Sequence, residues 1–122
     1  MDFGRLWSWL FQSYEERRQI ERRAYELLCG HLSCNQLAAF RERGRFEVVG
    51  GDSGRRYVIR DAARPNVDEI NEKGECARAW CFEPIGKLAR GDILLAQKIA
   101  LECFESEALL LARPHHYAST TM

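Results

Sequence analysis

The segment Phe46–Arg60, Phe-Glu-Val-Val-Gly-Gly-Asp-Ser-Gly-Arg-Arg-Tyr-Val-Ile-Arg, constrains the fold more than any other stretch of the chain. Two short runs of β-branched and aromatic residues flank a glycine-rich connection, which is the signature of a β-hairpin. Strand alternation puts Phe46 and Val48 on one face, and across the turn Tyr57 and Ile59 face them.

Helical patterns precede the hairpin. Trp7, Leu10, Phe11 and Tyr14 recur at i, i+3, i+4, i+7. Ser13 with Glu16 forms a capping-box pattern, so a short aromatic helix is expected before a longer one from about Tyr14 to His31. On the longer helix Ile20, Ala24, Leu27, Leu28 and His31 share a face, and the charged run from Glu15 to Arg23 covers the rest as a solvated surface. Ser33 with Gln36 starts a further helix, with Leu37 and Phe40 on its apolar side and a stop at Gly44.

Beyond the hairpin, residues 61–65 are expected as a loop, and Asn66 to Asn71 as a third strand. Glu72-Lys73-Gly74 is turn chemistry. Glu75 to Phe82 alternates as a fourth strand, with Cys76, Arg78, Trp80 and Phe82 on one face, and Pro84 and Gly86 end it. Asp92 is expected to cap a last helix whose core side includes Leu95, Ile99 and Cys103. Glu105 to Ala112 extends that helix or forms a separate turn. The order predicts an α+β fold: N-terminal helices, a four-stranded antiparallel β-meander and a C-terminal helix. All 122 residues fit one domain, with an aromatic segment (1–12), a core (13–112) and a flexible tail (113–122).

Charge narrows the function classes. Eighteen basic and eighteen acidic side chains cancel, so no global field draws the chain to nucleic acid or an anionic membrane. Five cysteines, an odd number, argue against a disulfide framework. The apolar start lacks a cleavage site, is interrupted by Arg5 and is shorter than a membrane span, which predicts a cytoplasmic protein with free thiols and no transmembrane segment.

Several motifs invite chemistry that their context does not support. Gly51-Asp52-Ser53-Gly54 matches part of the sequence around the nucleophile of chymotrypsin-like proteases. The chain is too short for that fold, however, and its histidines (His31, His115, His116) fall in a helix and a tail. A nucleotide-binding phosphate loop leads into a helix and carries Gly-Lys-Ser/Thr; here the glycines lead into a strand. Cys29, His31 and Cys34 cluster in sequence, as do Cys76 and Cys81, but neither group has zinc-ligand spacing, and residues 76 and 81 face opposite ways on a regular strand. No metal or cofactor is expected. No paired carboxylates, nucleophile–base pair or metal cluster has usable spacing, so a small enzyme ranks last of three readings, behind a protein-binding and an anion-binding one.

Two surfaces remain. Trp7, Trp9, Leu10, Phe11 and Tyr14 are a heavy apolar load for one segment, with Trp7, Trp9, Phe11 and Tyr14 as its aromatic members. Large aromatics are usually buried, so these are expected to cover the open sheet face; left exposed, they are anchors for a protein partner or for self-association. Arg55, Arg56, Arg60 and Arg78, interleaved with Tyr57 and Trp80, form an alternative anion- or nucleic-acid-binding patch if they share a face.

A longer pattern runs through Gln36-Leu37, Gly44-x-Phe46-x-Val48, Ser53-Gly54-x-x-Tyr57-x-Ile59, Asn66-Val67, Gly74, Cys81 and Asp92-x-Leu94-Leu95-Ala96-Gln97-Lys98. Over roughly residues 27–112 it resembles a family of small uncharacterised bacterial and bacteriophage proteins. The resemblance implies a prophage or mobile-element origin and assigns no catalytic residue. The leading expectation is therefore a non-enzymatic interaction protein.

Overall fold

The hairpin forms with the expected residues on one face, in a register that pairs Phe46 with Ile59 and Val48 with Tyr57. The computed structural model describes residues 2–61, 66–82 and 86–115. Its elements run α1 (Phe3–His31), α2 (Cys34–Arg43), β1 (Arg45–Val49), β2 (Arg56–Arg60), β3 (Val67–Ile70), β4 (Cys76–Cys81), α3 (Arg90–Cys103), α4 (Glu105–Leu111) and β5 (Arg113–His115). All strand pairs are antiparallel, in the order β1-β2-β3-β4-β5. The α+β class holds, with five strands rather than four. The fifth comes from residues expected in the tail: Arg113–His115 return past α4 to pair with β4. The loop expected at 61–65 (beyond Asp61), the stop at Pro84 and the tail at 116–122, including His116, lie outside the described residues.

One face of the sheet carries the core. Phe46, Val48, Tyr57, Ile59 and Val67 pack against Leu28 of α1, Phe40 of α2 and Leu94, Leu95 and Leu101 of α3. Phe40 meets Phe46 edge to face at 5.8 Å between centroids, a favoured aromatic geometry. The α2 capping box forms as read: the Ser33 hydroxyl accepts the Gln36 N–H at 3.2 Å, and Gln36 Oε1 accepts the Ser33 N–H at 2.9 Å. The same Gln36 donates from Nε2 to the Glu47 carbonyl at 2.8 Å. It thereby satisfies one acceptor on the exposed edge of β1 and ties α2 to the sheet.

Other expectations need correction. The short and long N-terminal helices are a single helix, because nothing in residues 12–14 breaks the hydrogen-bond ladder. On α1 only Ala24 and Leu28 are buried, while Ile20 and Leu27 are exposed. On α3 the inward residues include Gly91, Leu94, Leu95 and Leu101, while Ile99 and Cys103 are exposed. Both shifts have one cause. Gly91 lies directly against the backbone of Ala24, where a Cβ would overlap the Ala24 carbonyl. This close crossing turns Gly91 and Leu94 toward α1 and swings Ile99 out. α3 begins at Arg90 with Ala89 as its N-cap, and Asp92 sits in the first turn instead of capping it. In β4, a register shift opposite Glu69 and Ile70 sets Cys76 against Ile70, so it does not share the face of Arg78 and Trp80, which pair with Glu69 and Val67.

Neither C-terminal helix caps itself. Ala89 and Phe104 make no side-chain cap bond. The first N–H of α3, from Arg90, goes to the Glu21 carboxylate of α1 at 3.1 Å. Arg90 itself makes a two-pronged ion pair with Asp61 at the end of β2, at 3.0 and 2.8 Å. One arginine thus joins α1, α3 and the sheet.

Candidate functional site: the projecting face of α1 and the hairpin clamp

α1 spans 29 residues, about 43 Å at helical rise. Asp2 opens it, its carboxylate accepting the Gly4 N–H at 3.1 Å. The first buried residue is Ala24. The preceding stretch projects from the body with its apolar side chains in solvent: Trp7 is 69 %, Trp9 63 %, Phe11 66 % and Tyr14 59 % exposed. Phe3, Leu6 and Leu10 are exposed as well. The expectation that the aromatics cover the sheet is therefore overturned. α3 already fills that face, and a straight helix anchored through Ala24 and Leu28 carries residues 3–14 past it.

These side chains are ordered along the helix. Phe3, Trp7, Leu10 and Tyr14 follow a four-three-four spacing, and Leu6 and Phe11 flank that line. Trp9 lies off it, since two residues along a helix rotate by about 200°. The line continues through Arg17 and Glu21 to Ala24 and Leu28, so the exposed stripe extends the same face that packs into the body. The helical spacing in the sequence already marked Trp7, Leu10, Phe11 and Tyr14; of the four proposed anchors Trp9 falls off the stripe, and Phe3 and Leu6, which the same spacing reaches, were missed.

The Gly50–Gly54 turn has a different role. Its backbone N–H groups at Asp52 and Ser53 donate to Glu105 Oε1 at 3.0 and 2.8 Å, and the Ser53 hydroxyl donates to Oε2 at 2.5 Å. Tyr57 donates to the same oxygen at 2.6 Å. Glu105 is only 2 % exposed. Burial pushes its pKa up, but the bonds from Ser53, Tyr57 and the backbone outweigh that and hold it below the usual glutamate value. The same burial, with the bond to Glu105, pushes the Tyr57 phenol up and keeps it protonated. In return, Asp52 Oδ2 accepts from the Ser106 N–H at 3.0 Å and hydroxyl at 2.7 Å. Ser53 is thus engaged with a carboxylate and with the Arg55 N–H, a structural arrangement with no histidine in it. The glycines permit the approach: a Cβ at Gly50 would overlap the Glu105 carboxylate, and one at Gly51 the Glu102 carbonyl.

The four arginines do not form one patch. Arg55 and Arg78 meet at Glu69, with Nε–O distances of 3.3 and 4.0 Å, beside a groove of about 550 Å³ also lined by Ser53, Asn71 and Glu72. Arg56 and Arg60 project from the opposite face of β2, where Arg56 binds Glu47 with an Nη2–Oε2 distance of 3.0 Å and Arg60 pairs with Asp68. The bond from Arg56 holds the Glu47 carboxyl below its usual range, against partial burial. Each guanidinium already has a carboxylate. Tyr57 is fully buried and Trp80 half-buried, so neither is a free stacking platform.

The cysteines are dispersed as free thiols: Cys34, Cys76 and Cys103 are exposed, and Cys29 and Cys81 half-buried. His31 donates from Nδ1 to the Leu27 carbonyl within its own helix, at 2.8 Å. Among the described residues, no group of three or more His, Cys, Asp or Glu is placed to hold a metal ion, and no helix is long and apolar enough to cross a membrane. Together these features define a five-stranded α+β protein with a projecting aromatic helix. Comparison with family models, curated proteins and solved structures returns no match.

Proposed function

We propose that this protein acts by binding another protein, or a second copy of itself, through the aromatic stripe of α1, and that it is not an enzyme. One observation carries the reading: Trp7, Phe11 and Tyr14, with Phe3, Leu6 and Leu10, are exposed on one arc of a continuous helix. Tryptophan and tyrosine are the residues most enriched as binding anchors. A contiguous apolar surface of this kind is costly to leave in water unless a partner covers it.

The test compares the wild-type chain with Leu10→Glu, purified from the native host under identical conditions. The expected result is a co-purifying protein or a self-associated state that Leu10→Glu loses while keeping its far-UV circular dichroism. Identical co-purification and identical mass for the two would sink the reading.

A further inference from the structure

We infer that the occupant of the stripe is a second copy of this chain, with the two α1 helices packed antiparallel; this rests on the proposed binding role of the stripe. Size is the first reason. The exposed side chains from Phe3 to Tyr14 present on the order of 800 Å². That exceeds the ~300–600 Å² of the largest patch on a typical monomer and matches the ~800 Å² each partner gives to a stable interface. Two such stripes are complementary without any other protein.

Spacing and charge agree. Phe3, Trp7, Leu10 and Tyr14 follow the alternating four- and three-residue steps of a helix–helix seam. The stretch from Asp2 to Arg18 holds three acidic side chains (Asp2, Glu15, Glu16) and three basic ones (Arg5, Arg17, Arg18), so its net charge is zero. Self-pairing therefore meets no net repulsion, and an anionic bilayer exerts no net pull on the segment.

Geometry selects the orientation. The seam runs on through Arg17 and Glu21 into the face buried by Ala24 and Leu28. Parallel pairing in register would set Arg17 against Arg17 and Glu21 against Glu21. It would also drive two bodies into one space, because both lie on the seam side at the same helix end. Antiparallel pairing centred near Leu10 sets Trp7 of one copy against Tyr14 of the other and places the bodies at opposite ends.

Sedimentation equilibrium over a wide concentration range tests this on the full chain. The expected result is twice the 14.1 kDa chain mass, with Leu10→Glu weakening the dimer by at least ~100-fold at unchanged far-UV circular dichroism. Trp7→Glu and Tyr14→Lys are each expected to weaken it, and the double variant to recover affinity, because antiparallel pairing sets the new glutamate against the new lysine. A double variant weaker than both singles overturns the antiparallel dimer, as does a dimer that Leu10→Glu leaves intact. A monomeric wild type that binds phosphatidylcholine–phosphatidylglycerol vesicles overturns it in favour of lipid. A monomeric wild type that captures another protein, lost with Leu10→Glu, overturns the second copy but leaves the binding function standing. A monomer that captures nothing overturns both.

Discussion

Asp52 and Glu105 anchor one another's elements. The Asp52 N–H donates to Glu105 Oε1 at 3.0 Å, and the Asp52 carboxylate accepts the N–H of Ser106, one residue past Glu105, at 3.0 Å. The pattern is that of a capping box split between two distant parts of the chain: a hairpin turn caps a helix, and the helix caps the turn. Asp52→Ala removes the only side-chain cap of α4 among the described residues, and also the partner of the Ser106 hydroxyl. It is expected to cost about 1–2 kcal/mol, read as a lower urea midpoint at unchanged slope.

Glu105 should weigh more. It accepts four hydrogen bonds in a site almost closed to water. In Glu105→Gln the amide facing the two hydroxyls donates instead of accepting, so Ser53 and Tyr57 lose the charged acceptor of their protons and must turn to accept. A loss of about 2–4 kcal/mol is expected. Tyr57→Phe removes one bond to a charged acceptor and should cost about 1.5–3 kcal/mol. Because both act at one carboxylate, the double variant should cost less than the sum of the singles.

The same carboxylate sets an acid limit. Its pKa is lower folded than unfolded, since hydrogen bonding to the charged form outweighs burial. The stability it contributes is therefore complete above the ordinary glutamate value of about 4.3, and is lost as pH falls through the depressed folded value. Thermal melts from about pH 2 to pH 7 should show a steep fall in Tm below about pH 4. In Glu105→Gln that fall should be shallower, because the group no longer titrates. An unchanged acid limb in the variant would remove Glu105 from the account.

Local chemistry was legible in the sequence and tertiary chemistry was not. Ser33 and Gln36 cap α2 from within a four-residue window, and alternation alone names the hairpin residues that share the core face. Asp92 was the natural local cap for α3, but that helix is capped by Glu21, from a residue far away in sequence. Likewise nothing near Ser53 announces that its partner is Glu105. Burial on α1 and α3 was misjudged because periodicity names a face only to within a residue or two, and the Ala24–Gly91 approach decides which side turns inward. The exposure of Trp7 and Phe11 was hidden for a related reason. An aromatic stripe reads alike whether it meets a core or solvent, and only the direction of α1 separates the two.

The glycines at the close approaches should be the least replaceable residues of their type. Gly51→Ala puts a methyl group into the Glu102 carbonyl, and Gly91→Ala puts one into the Ala24 carbonyl. Neither obstacle is a side chain that can rotate away, so the backbones must separate. Each change should cost about 1–3 kcal/mol, the usual range for overpacking. Gly30→Ala is the control: no atom lies within 4 Å of the added Cβ. Gly30 lies in the last turn of α1, so that change should stabilise modestly, by at most about 0.5–1 kcal/mol. Denaturant midpoints of the three variants should therefore fall on both sides of the wild type.

Folding and binding are expected to separate along α1. Its buried half anchors the helix through Leu28, which has no exposed surface, so Leu28→Ala should cost about 2–5 kcal/mol. Trp7, Leu10 and Phe11 touch water instead, and replacing each with serine should change the stability of the folded body by no more than about 0.5 kcal/mol. If these side chains join the two copies, the contrast becomes sharper with concentration. Wild-type Tm should rise as the chain is concentrated, because association adds to stability by mass action. The triple serine variant should melt at one temperature throughout. A triple variant that unfolds early at every concentration would show that residues 3–14 pack on the body, and would assign the stripe to the core rather than to a partner.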